Sequence, residues 1–238
     1  MTTSTIDNLN IKIFSDGANV EDIINLIKNP LIKGVTTNPS LMRKAGIVNY
    51  KDGCTEILKY VKDIPVSLEV ISDDIDEMYE QGLELASWGE NVCVKIPITN
   101  TKSESSLKTI SKLLHKNVYL NITAIFQADQ IFDLVKQIND NKIILSIFAG
   151  RIADSGRDPK KIIREVQALS LGKNTELLWA STREAYNIVE ANDIGCDIIT
   201  VSPSILNKLD VFNKDLLLYS LETVKMFYED AKKSNYII

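Results

Sequence analysis

Short apolar runs rich in β-branched residues recur along the chain, and a stretch with a more helical pattern follows each of them. The runs are "IKIFSD" (11–16), "KGVTT" (33–37), "VSLEV" (66–70), "VCVKI" (92–96), "VYLNI" (118–122), "IILSIF" (143–148), "ELLWAS" (176–181) and "DIITVS" (197–202). Most are continuously apolar rather than alternating, which is typical of parallel strands that helices cover. The pattern therefore predicts eight parallel strands.

Between the runs, apolar residues recur at helical spacing. The predicted helices cover residues 20–28, 50–63, 74–88, 104–116, 129–139, 159–170 and 214–233. Alternating β and α units form either an open doubly wound sheet or a closed (β/α)8 barrel. Eight units in 238 residues suit the barrel, and no G-x-G-x-x-G motif follows the first strand. We therefore expect an α/β fold, with one (β/α)8 TIM-barrel domain over residues 1–238 and an extra C-terminal helix at about 213–234.

Composition narrows the class of protein. The chain is 45% hydrophobic, and 27 Lys and Arg against 32 Asp and Glu leave a net charge of −5. No basic cluster is long enough to follow a phosphate backbone, so we expect no nucleic-acid partner. The first residues lack a signal-peptide pattern and no apolar run reaches the length of a membrane span, so we expect no membrane partner either.

Cysteine, histidine and acidic residues bear on compartment and metal binding. Cys54, Cys93 and Cys196 are far apart and odd in number, which favours reduced thiols in a cytoplasmic protein. His115 is the only histidine, so a multi-histidine metal site is excluded. The segment "ISDDIDE" (71–77) has the composition of a divalent-metal cluster, but acidic residues in the first turn of a helix explain it better. We expect no metal site.

Nearly every predicted strand ends in a polar or charged side chain. These residues are Asp16, Thr36, Thr37, Asn38, Glu69, Lys95, Asn121, Thr123, Ser146, Ser181 and Arg183. A purely structural strand does not need them, because a buried polar group costs free energy unless it is paired. The active sites of (β/α)8 barrels lie at the carboxyl ends of the strands. We therefore expect these side chains to converge on one polar pocket.

Lys95, in "NVCVKIPITN" (91–100), admits two interpretations. It is either an outward-pointing lysine at the end of a strand or an amine held in the dry mouth of the barrel. In the second case desolvation disfavours the ammonium form, and a neutral amine can attack a carbonyl to form a Schiff base. Asp16 and Glu69 would then transfer protons. The alternatives are that Asp16 caps a helix and that Glu69 forms a salt bridge at the barrel rim.

Five motifs in this order and spacing resemble the transaldolase family, in the short-chain group that also contains fructose-6-phosphate aldolase-like enzymes. They are "GVTTNPSLM" (34–42), "VKIPIT" (94–99), "LNITAIF" (120–126), "SIFAGRIAD" (146–154) and "ASTREA" (180–185). The resemblance runs from about residue 11 to the last helix. It implies a (β/α)8 barrel and class I aldol chemistry, on sugar-phosphate substrates, that needs no cofactor.

The resemblance also implies roles for individual residues. Lys95 matches the Schiff-base lysine, Asp16 matches the acid that transfers protons around carbon–carbon cleavage, and Glu69 and Thr123 match the pair that holds the catalytic water. The matches to substrate-binding positions are Asn38 and Asn121 for hydroxyl groups, Ser146 and Ser181 for the pocket wall, and Arg151 and Arg183 for the phosphate. From the residues alone, either arginine could equally cap a helix end.

Three activities stay open. The aldolase branch resembles a form with Gln in place of Glu69 and Tyr in place of Phe148, so the resemblance favours transfer over free aldol cleavage. A sugar-phosphate-binding barrel without catalysis is the third possibility, although it has no need of Lys95, Asp16 and Glu69 together. Gly17, where the family usually has Thr, and the additional Arg157 predict a specialised sugar pathway with a wider pocket.

The last predicted helix carries more apolar residues than one barrel face can cover. The segment "LLLYSLETVKMFY" (216–228) contains most of them. Such a surplus marks an interface, and the short-chain group resembles rings of five subunits that stack in pairs. We therefore expect a homo-oligomer, a pentamer or decamer, in which the helix at about 213–234 packs on a neighbouring subunit.

Overall fold

Within the described residues, eight parallel strands close into a barrel, as the sequence predicts. The computed structural model describes residues 9–138, 141–234, 236 and 237. The strands are β1 (Lys12–Asp16), β2 (Ile32–Thr36), β3 (Val66–Glu69), β4 (Val92–Pro97), β5 (Leu120–Ile125), β6 (Ile143–Ile147), β7 (Thr175–Trp179) and β8 (Ile198–Val201). Each strand pairs with the next in chain order, and β8 pairs with β1, which closes the barrel.

Helices connect the strands on the outside. They are α1 (Val20–Leu26), α2 (Pro39–Lys44), α3 (Tyr50–Tyr60), α4 (Ile75–Ala86), α5 (Leu107–His115), α6 (Phe132–Val135), α7 (Ala149–Asp154), α8 (Pro159–Leu169), α9 (Asn187–Asp193), α10 (Pro203–Leu206) and α11 (Leu216–Ser234). The predicted helix at 129–139 is instead a 3-10 turn, Ala128–Ile131, followed by the short α6, and residue 139 lies outside the described residues. The sequence pattern did not predict the short helices α2, α7, α9 and α10.

The core has two layers, one between strands and helices and one inside the barrel. The inner layer contains Phe14, Cys93, Ile144, Leu178 and Ile198. A Cβ atom on Gly34 would lie 2.5 Å from the Phe14 ring, so glycine is required where that ring crosses the neighbouring strand. Because the inner layer fills the middle of the barrel, an interior cavity can form above it, at the carboxyl ends of the strands.

Charged residues close the opposite, amino-terminal end of the barrel. The Glu176 carboxylate at the start of β7 forms ion pairs with Lys12 of β1 and with Lys142, whose Nζ lies 3.0 Å from Glu176 Oε2. The Tyr119 hydroxyl donates a hydrogen bond of 3.4 Å to the same oxygen. We call these four residues the basal cluster.

The C-terminal helix α11 contributes no buried residue to the barrel. Its exposed apolar side chains are Leu216, Leu217, Leu218, Tyr219, Leu221, Val224, Met226, Phe227 and Tyr228. In the part of the chain that the structure describes, no helix is both long and apolar enough to cross a membrane.

Candidate active site

A cavity of about 560 Å³ opens at the carboxyl ends of the strands. All eight strands supply a lining residue, and all ten residues that the sequence predicts for the site line this cavity. They are Asp16, Asn38, Glu69, Lys95, Asn121, Thr123, Ser146, Arg151, Ser181 and Arg183. The expected convergence on one polar pocket is therefore found for these residues and for Thr36. Thr37 is the exception, because it does not line the cavity and only its backbone carbonyl oxygen contacts Lys95.

Lys95 lies inside the barrel and is only 6% exposed, so the interpretation as an outward-pointing lysine is wrong. Strand register explains its neighbours, because Lys95 pairs with Glu69 on β3 and with Asn121 on β5 and the three side chains point the same way. Lys95 Nζ donates a 3.2 Å hydrogen bond to the Thr37 carbonyl oxygen and lies 3.0 Å from Glu69 Oε2. The amine is thus buried as an ion pair, with a proton acceptor in contact.

Asp16, the last residue of β1, stands beside this pair. Burial raises the pKa of its carboxyl group above the usual range, and the Glu69 charge adds to the rise, while Lys95 and a hydrogen bond from Thr36 oppose it. Thr36 Oγ1 donates that bond to Asp16 Oδ1 over 2.8 Å. Asp16 is not a helix cap, since the N-cap of α1 is Asn19.

Amide and hydroxyl groups form the opposite wall. Asn121 Nδ2 donates to Ser67 Oγ over 3.1 Å, and Ser146 Oγ donates to Asn121 Oδ1 over 2.6 Å, so the Asn121 amide is held at both ends. Thr123 Oγ1 is buried and has no hydrogen-bond partner among the described residues. A buried hydroxyl of this kind needs a partner, and it lines the cavity, where a water molecule or a substrate hydroxyl can supply one.

Two strained backbone positions shape the same rim. Ala124 has a φ angle of 60° and Ser181 one of 65°, a left-handed conformation that side chains disfavour. The β5–β6 register shifts between Ile122 and Ile125, which turns the chain next to Thr123. At Gly150 a Cβ atom would lie 1.6 Å from the Ser181 carbonyl oxygen, so only glycine allows this approach of the two loops.

Asn38 has a double position, because it caps a helix and lines the cavity. Its side-chain oxygen accepts a 3.0 Å hydrogen bond from Leu41 N, which makes it the N-cap of α2. The Asn38 amide nitrogen donates to no described residue. Capping fixes the orientation of the side chain and leaves the amide N–H groups for a ligand.

The two arginines are not equivalent. Arg183 contacts both carboxylate oxygens of Asp154 through Nε, at 3.0 and 3.1 Å, and its Nη2 lies 2.5 Å from Asp154 Oδ2. These hydrogen bonds raise the pKa of Arg183 and lower that of Asp154. Arg151 instead lies 5.2 Å from the centre of the Phe148 ring and forms no ion pair with the described residues. Arg151 therefore carries the less neutralised charge.

Comparison with known proteins places the chain in a family. The profile described as Transaldolase/Fructose-6-phosphate aldolase matches residues 13–236. This chain belongs to that family. A probable transaldolase of Nitrosopumilus maritimus is 36% identical over 230 residues, which are 94% of this chain and 98% of that protein. A probable transaldolase of Thermoplasma volcanium is 36% identical over 227 residues, 94% and 96% of the two chains.

A solved structure supports the fold alone. The N-acetylneuraminate lyase from Mycoplasma synoviae superposes with a TM-score of 0.56 at 12% identity, over 95% of this chain and 80% of that one. The predicted family is confirmed, and the predicted enzyme class agrees with the names of its relatives.

Several lining residues of this chain were missed from the sequence. The sequence predicts Thr36 only as a strand end, and nothing in its pattern points to Lys44, Thr182, Thr200 or Ser202 as lining residues. Lys44 ends α2, which the sequence pattern did not predict, and it forms no ion pair with any described residue. Thr200 lies within an apolar strand. A threonine there is also a normal β-strand residue, so no signal distinguished it.

Two departures from the family pattern lie outside the cavity. Gly17 is not among the lining residues, and a Cβ atom there would meet only Pro203, at 3.9 Å or more. Arg157 is exposed and donates to Ser155 Oγ over 3.2 Å. The acidic segment 71–77 is the start of a helix, as expected, because the Asp74 side chain accepts hydrogen bonds from the backbone N–H groups of Asp76 and Glu77.

Proposed function

We propose that this chain is a transaldolase that forms a Schiff base on Lys95 and transfers a dihydroxyacetone unit from a ketose phosphate to an aldose phosphate. One observation carries the proposal. Lys95 Nζ lies buried in a polar cavity, 3.0 Å from Glu69 Oε2, with the Asp16 carboxyl group as a second acid beside it. An amine with carboxyl groups beside it can lose its proton and attack a carbonyl group, and the same acids can transfer the protons of imine formation.

The first step is the formation of the imine. Glu69 Oε2 accepts a proton from the Lys95 ammonium, and the neutral amine adds to the ketose carbonyl carbon. The resulting carbinolamine loses its hydroxyl group as water after protonation, which leaves a protonated imine on Lys95. Thr123 Oγ1, which has no partner among the described residues, is a suitable group to hold that water together with Glu69.

The second step is cleavage of the bond between C3 and C4 of the ketose. Asp16 accepts the proton of the C4 hydroxyl, the C3–C4 electron pair moves into the protonated imine, and the aldose fragment leaves. The three-carbon unit remains on Lys95 as an enamine. It then adds to the aldehyde carbon of an acceptor by the same steps in reverse, and water hydrolyses the new imine.

Polar groups on the cavity wall suit the remaining parts of the substrate. The fixed amides of Asn38 and Asn121 and the hydroxyls of Ser146 and Ser181 can bind the hydroxyl groups of the three-carbon unit. Arg151 and Arg183 can bind the phosphate, and a planar guanidinium matches phosphate oxygens well. Of the two, Arg151 is the stronger candidate for direct contact, because Asp154 already occupies Arg183.

Free aldol cleavage is the second candidate, because the matched family includes fructose-6-phosphate aldolase by name. The two reactions share every step up to the enamine and differ in its fate. In transfer the enamine waits for an aldehyde, whereas in free cleavage it is protonated at carbon to an imine, and water then hydrolyses the imine and releases dihydroxyacetone. Assaying ketose phosphate with and without an aldose phosphate separates them, and we expect turnover to depend on the acceptor.

The proposal extends to substrate choice, assembly and compartment. Since neither Gly17 nor Arg157 lines the cavity, the case for a specialised sugar pathway rests on assay. Fructose 6-phosphate with erythrose 4-phosphate should be compared with other ketoses and aldehydes, and efficient use of that pair would remove the case for a specialised pathway.

The exposed apolar residues of α11 support a pentamer or decamer, which light scattering tests. Three buried cysteines without a disulfide support a reducing, cytoplasmic compartment.

Borohydride reduction in the presence of the ketose tests the central proposal. We expect the wild type to gain the mass of one reduced three-carbon adduct, located on Lys95 by peptide mapping, and Lys95→Met to gain none. Lys142→Met is the matched control, because Lys142 also pairs with a glutamate of the barrel, and it should be labelled like the wild type. A wild type without an adduct would instead support the non-catalytic sugar-phosphate-binding barrel, and an adduct on another lysine would contradict the assignment.

A further inference from the structure

Asp16 is the end of a hydrogen-bonded chain of two threonines. Thr36 Oγ1 on β2 donates to Asp16 Oδ1 over 2.8 Å, and the same Thr36 oxygen is hydrogen-bonded to Thr200 Oγ1 on β8. Strand register assembles the three residues, because β1 lies between β2 and β8 in the barrel. Asp16 pairs with Thr36 on one side, and Phe14, two residues earlier, pairs with Thr200 on the other.

While Thr36 donates to Asp16, the direction of each hydrogen bond in this chain is fixed. A hydroxyl group has one proton and accepts through its lone pairs. Because the Thr36 proton is directed at Asp16, the proton between the two threonines belongs to Thr200. Thr200 therefore donates to Thr36, and Thr36 donates to the carboxylate. In such a chain each bond polarises the next and strengthens it.

We propose that Thr200 is a positioning residue of the active site, whose hydroxyl group fixes Thr36 as a hydrogen-bond donor to Asp16 and so favours the carboxylate form of that acid. The proposal rests on the proposed function for its catalytic consequence, since Asp16 must be ionised to accept the C4 hydroxyl proton. The order of the hydrogen bonds itself does not depend on the reaction.

The charges around Asp16 show why such a chain is needed. Burial and the negative charge of Glu69 raise the pKa of Asp16, while Lys95 on β4 lowers it. Glu69 and Lys95 are also paired with each other, so neither charge acts on Asp16 undiminished. Among the described residues of β2 and β8, the side chains hydrogen-bonded to Asp16 or Thr36 are the uncharged hydroxyl groups of Thr36 and Thr200. Through the threonine chain, β2 and β8 thus stabilise the Asp16 carboxylate.

Titration of Asp16 in threonine variants tests the proposal. The Asp16 carboxyl carbon would be followed by ¹³C NMR in protein labelled at aspartate, with Asp16→Asn for assignment. We expect Thr36→Val, which removes the donor, to raise the pKa of Asp16 by about one pH unit. Thr200→Val should raise it in the same direction by a smaller amount, and Thr200→Ser, which keeps the hydroxyl, should restore the wild-type value.

The acid limb of the pH profile of kcat/KM should shift upward with the NMR value, which a merely structural threonine would not cause. An unchanged or lowered pKa of Asp16 in a folded Thr200→Val variant would overturn the proposal, and so would failure of Thr200→Ser to restore it. If Thr200→Val does not fold, Thr200→Ala replaces it. Borohydride labelling of the same proteins separates this result from the proposed function, because labelled Lys95 with an unmoved titration contradicts only the role of Thr200.

Discussion

The two ends of the barrel each contain a lysine–glutamate ion pair, but one end has more lysines than acids and the other has more acids than lysines. At the amino-terminal end, the basal cluster places two lysines and a tyrosine hydroxyl around one carboxylate. At the carboxyl end, one lysine stands among two carboxyl groups. The basal lysine side chains are nearly half exposed, at 46% and 49%, whereas that of Lys95 is 8% exposed. Solvent therefore screens the excess positive charge of the basal cluster, whereas Lys95 and the acids beside it are largely shielded from solvent.

The acids of the two ends respond with opposite pKa shifts. Burial tends to raise the pKa of Glu176, but hydrogen bonds and charge from Lys12 and Lys142 outweigh it, and the pKa lies below the usual range. For Asp16 burial prevails, and the pKa lies above the usual range. An acid with a lowered pKa stabilises the folded chain at neutral pH, and an acid with a raised pKa destabilises it. The basal cluster thus serves stability, and the active site gives up stability for reactivity.

Removing one carboxylate at each end gives the largest expected effects. Glu69→Gln keeps the shape of the side chain but cannot accept the Lys95 proton, so we expect transferase turnover to fall by roughly 10²-fold or more. Glu176→Gln should leave turnover within about twofold of the wild type. Instead it should lower the free energy of unfolding by about 1–2 kcal/mol, a modest value because its lysine partners are half exposed.

Steady-state assays and urea unfolding of both variants check that Glu69→Gln loses turnover and that Glu176→Gln loses stability. The stability lost in Glu176→Gln should be present at neutral pH and should vanish as the pH falls, because the wild-type carboxylate is protonated there too and its lowered pKa no longer contributes. Turnover that falls equally in the two variants would contradict the division of roles between the two ends.

The fold and much of the site could be predicted because both depend on local patterns. A polar residue at the end of an apolar run, as at Lys95 or Ser146, points to the open end of a barrel whatever the rest of the chain does. Parallel register then places Glu69, Lys95 and Asn121 side by side. The 3.0 Å ion pair between Lys95 and Glu69 could not be read in this way, because that distance depends on the conformations of both side chains.

Other contacts have no local signature. Thr36 and Thr200 are 164 positions apart, and Arg183 and Asp154 are 29 apart, so each pair depends on the closed barrel and on loop conformation. The position of Lys44 depends on α2, a helix of six residues that is too short to show a periodic pattern. The sequence therefore predicts which strands line the site better than it predicts the pairing within it.

The two arginines of the active site also differ in how far their charges are paired, because Arg183 forms an ion pair with Asp154 and Arg151 forms none with the described residues. We expect Arg151→Gln to raise the KM for a ketose phosphate by about tenfold, since it removes a guanidinium that forms no close ion pair with the described residues, although Asp154 lies near enough to feel its charge. Arg183→Gln should raise that KM less and should lower the melting temperature, because it leaves Asp154 without its partner. Neither variant should alter the KM for the unphosphorylated ketose, and equal effects on both ketoses would show that the arginines shape the cavity rather than bind phosphate.

The smallest change in stability, and the most direct measure of the difference between the two ends of the barrel, is expected from Asp16→Asn. The amide can still accept the Thr36 hydrogen bond, but it never ionises, so the variant avoids the cost of a buried carboxylate. Because the pKa of Asp16 is raised in the folded chain, the wild type loses stability as the pH rises through that value. Asp16→Asn should therefore be more stable than the wild type by about 1 kcal/mol at neutral pH and equally stable at acid pH, while losing turnover.

The free energies of unfolding of the wild type and of Asp16→Asn, measured from acid to neutral pH, test this prediction. The same measurement should show Glu176→Gln to be less stable than the wild type at neutral pH, which is the opposite sign. Both differences from the wild type should disappear at low pH, because the wild-type acid is neutral there. A variant Asp16→Asn that is less stable than the wild type at neutral pH would mean that Lys95 and Thr36 stabilise the Asp16 carboxylate by more than burial costs. The carboxyl end of the barrel would then be built for stability in the same way as the basal cluster.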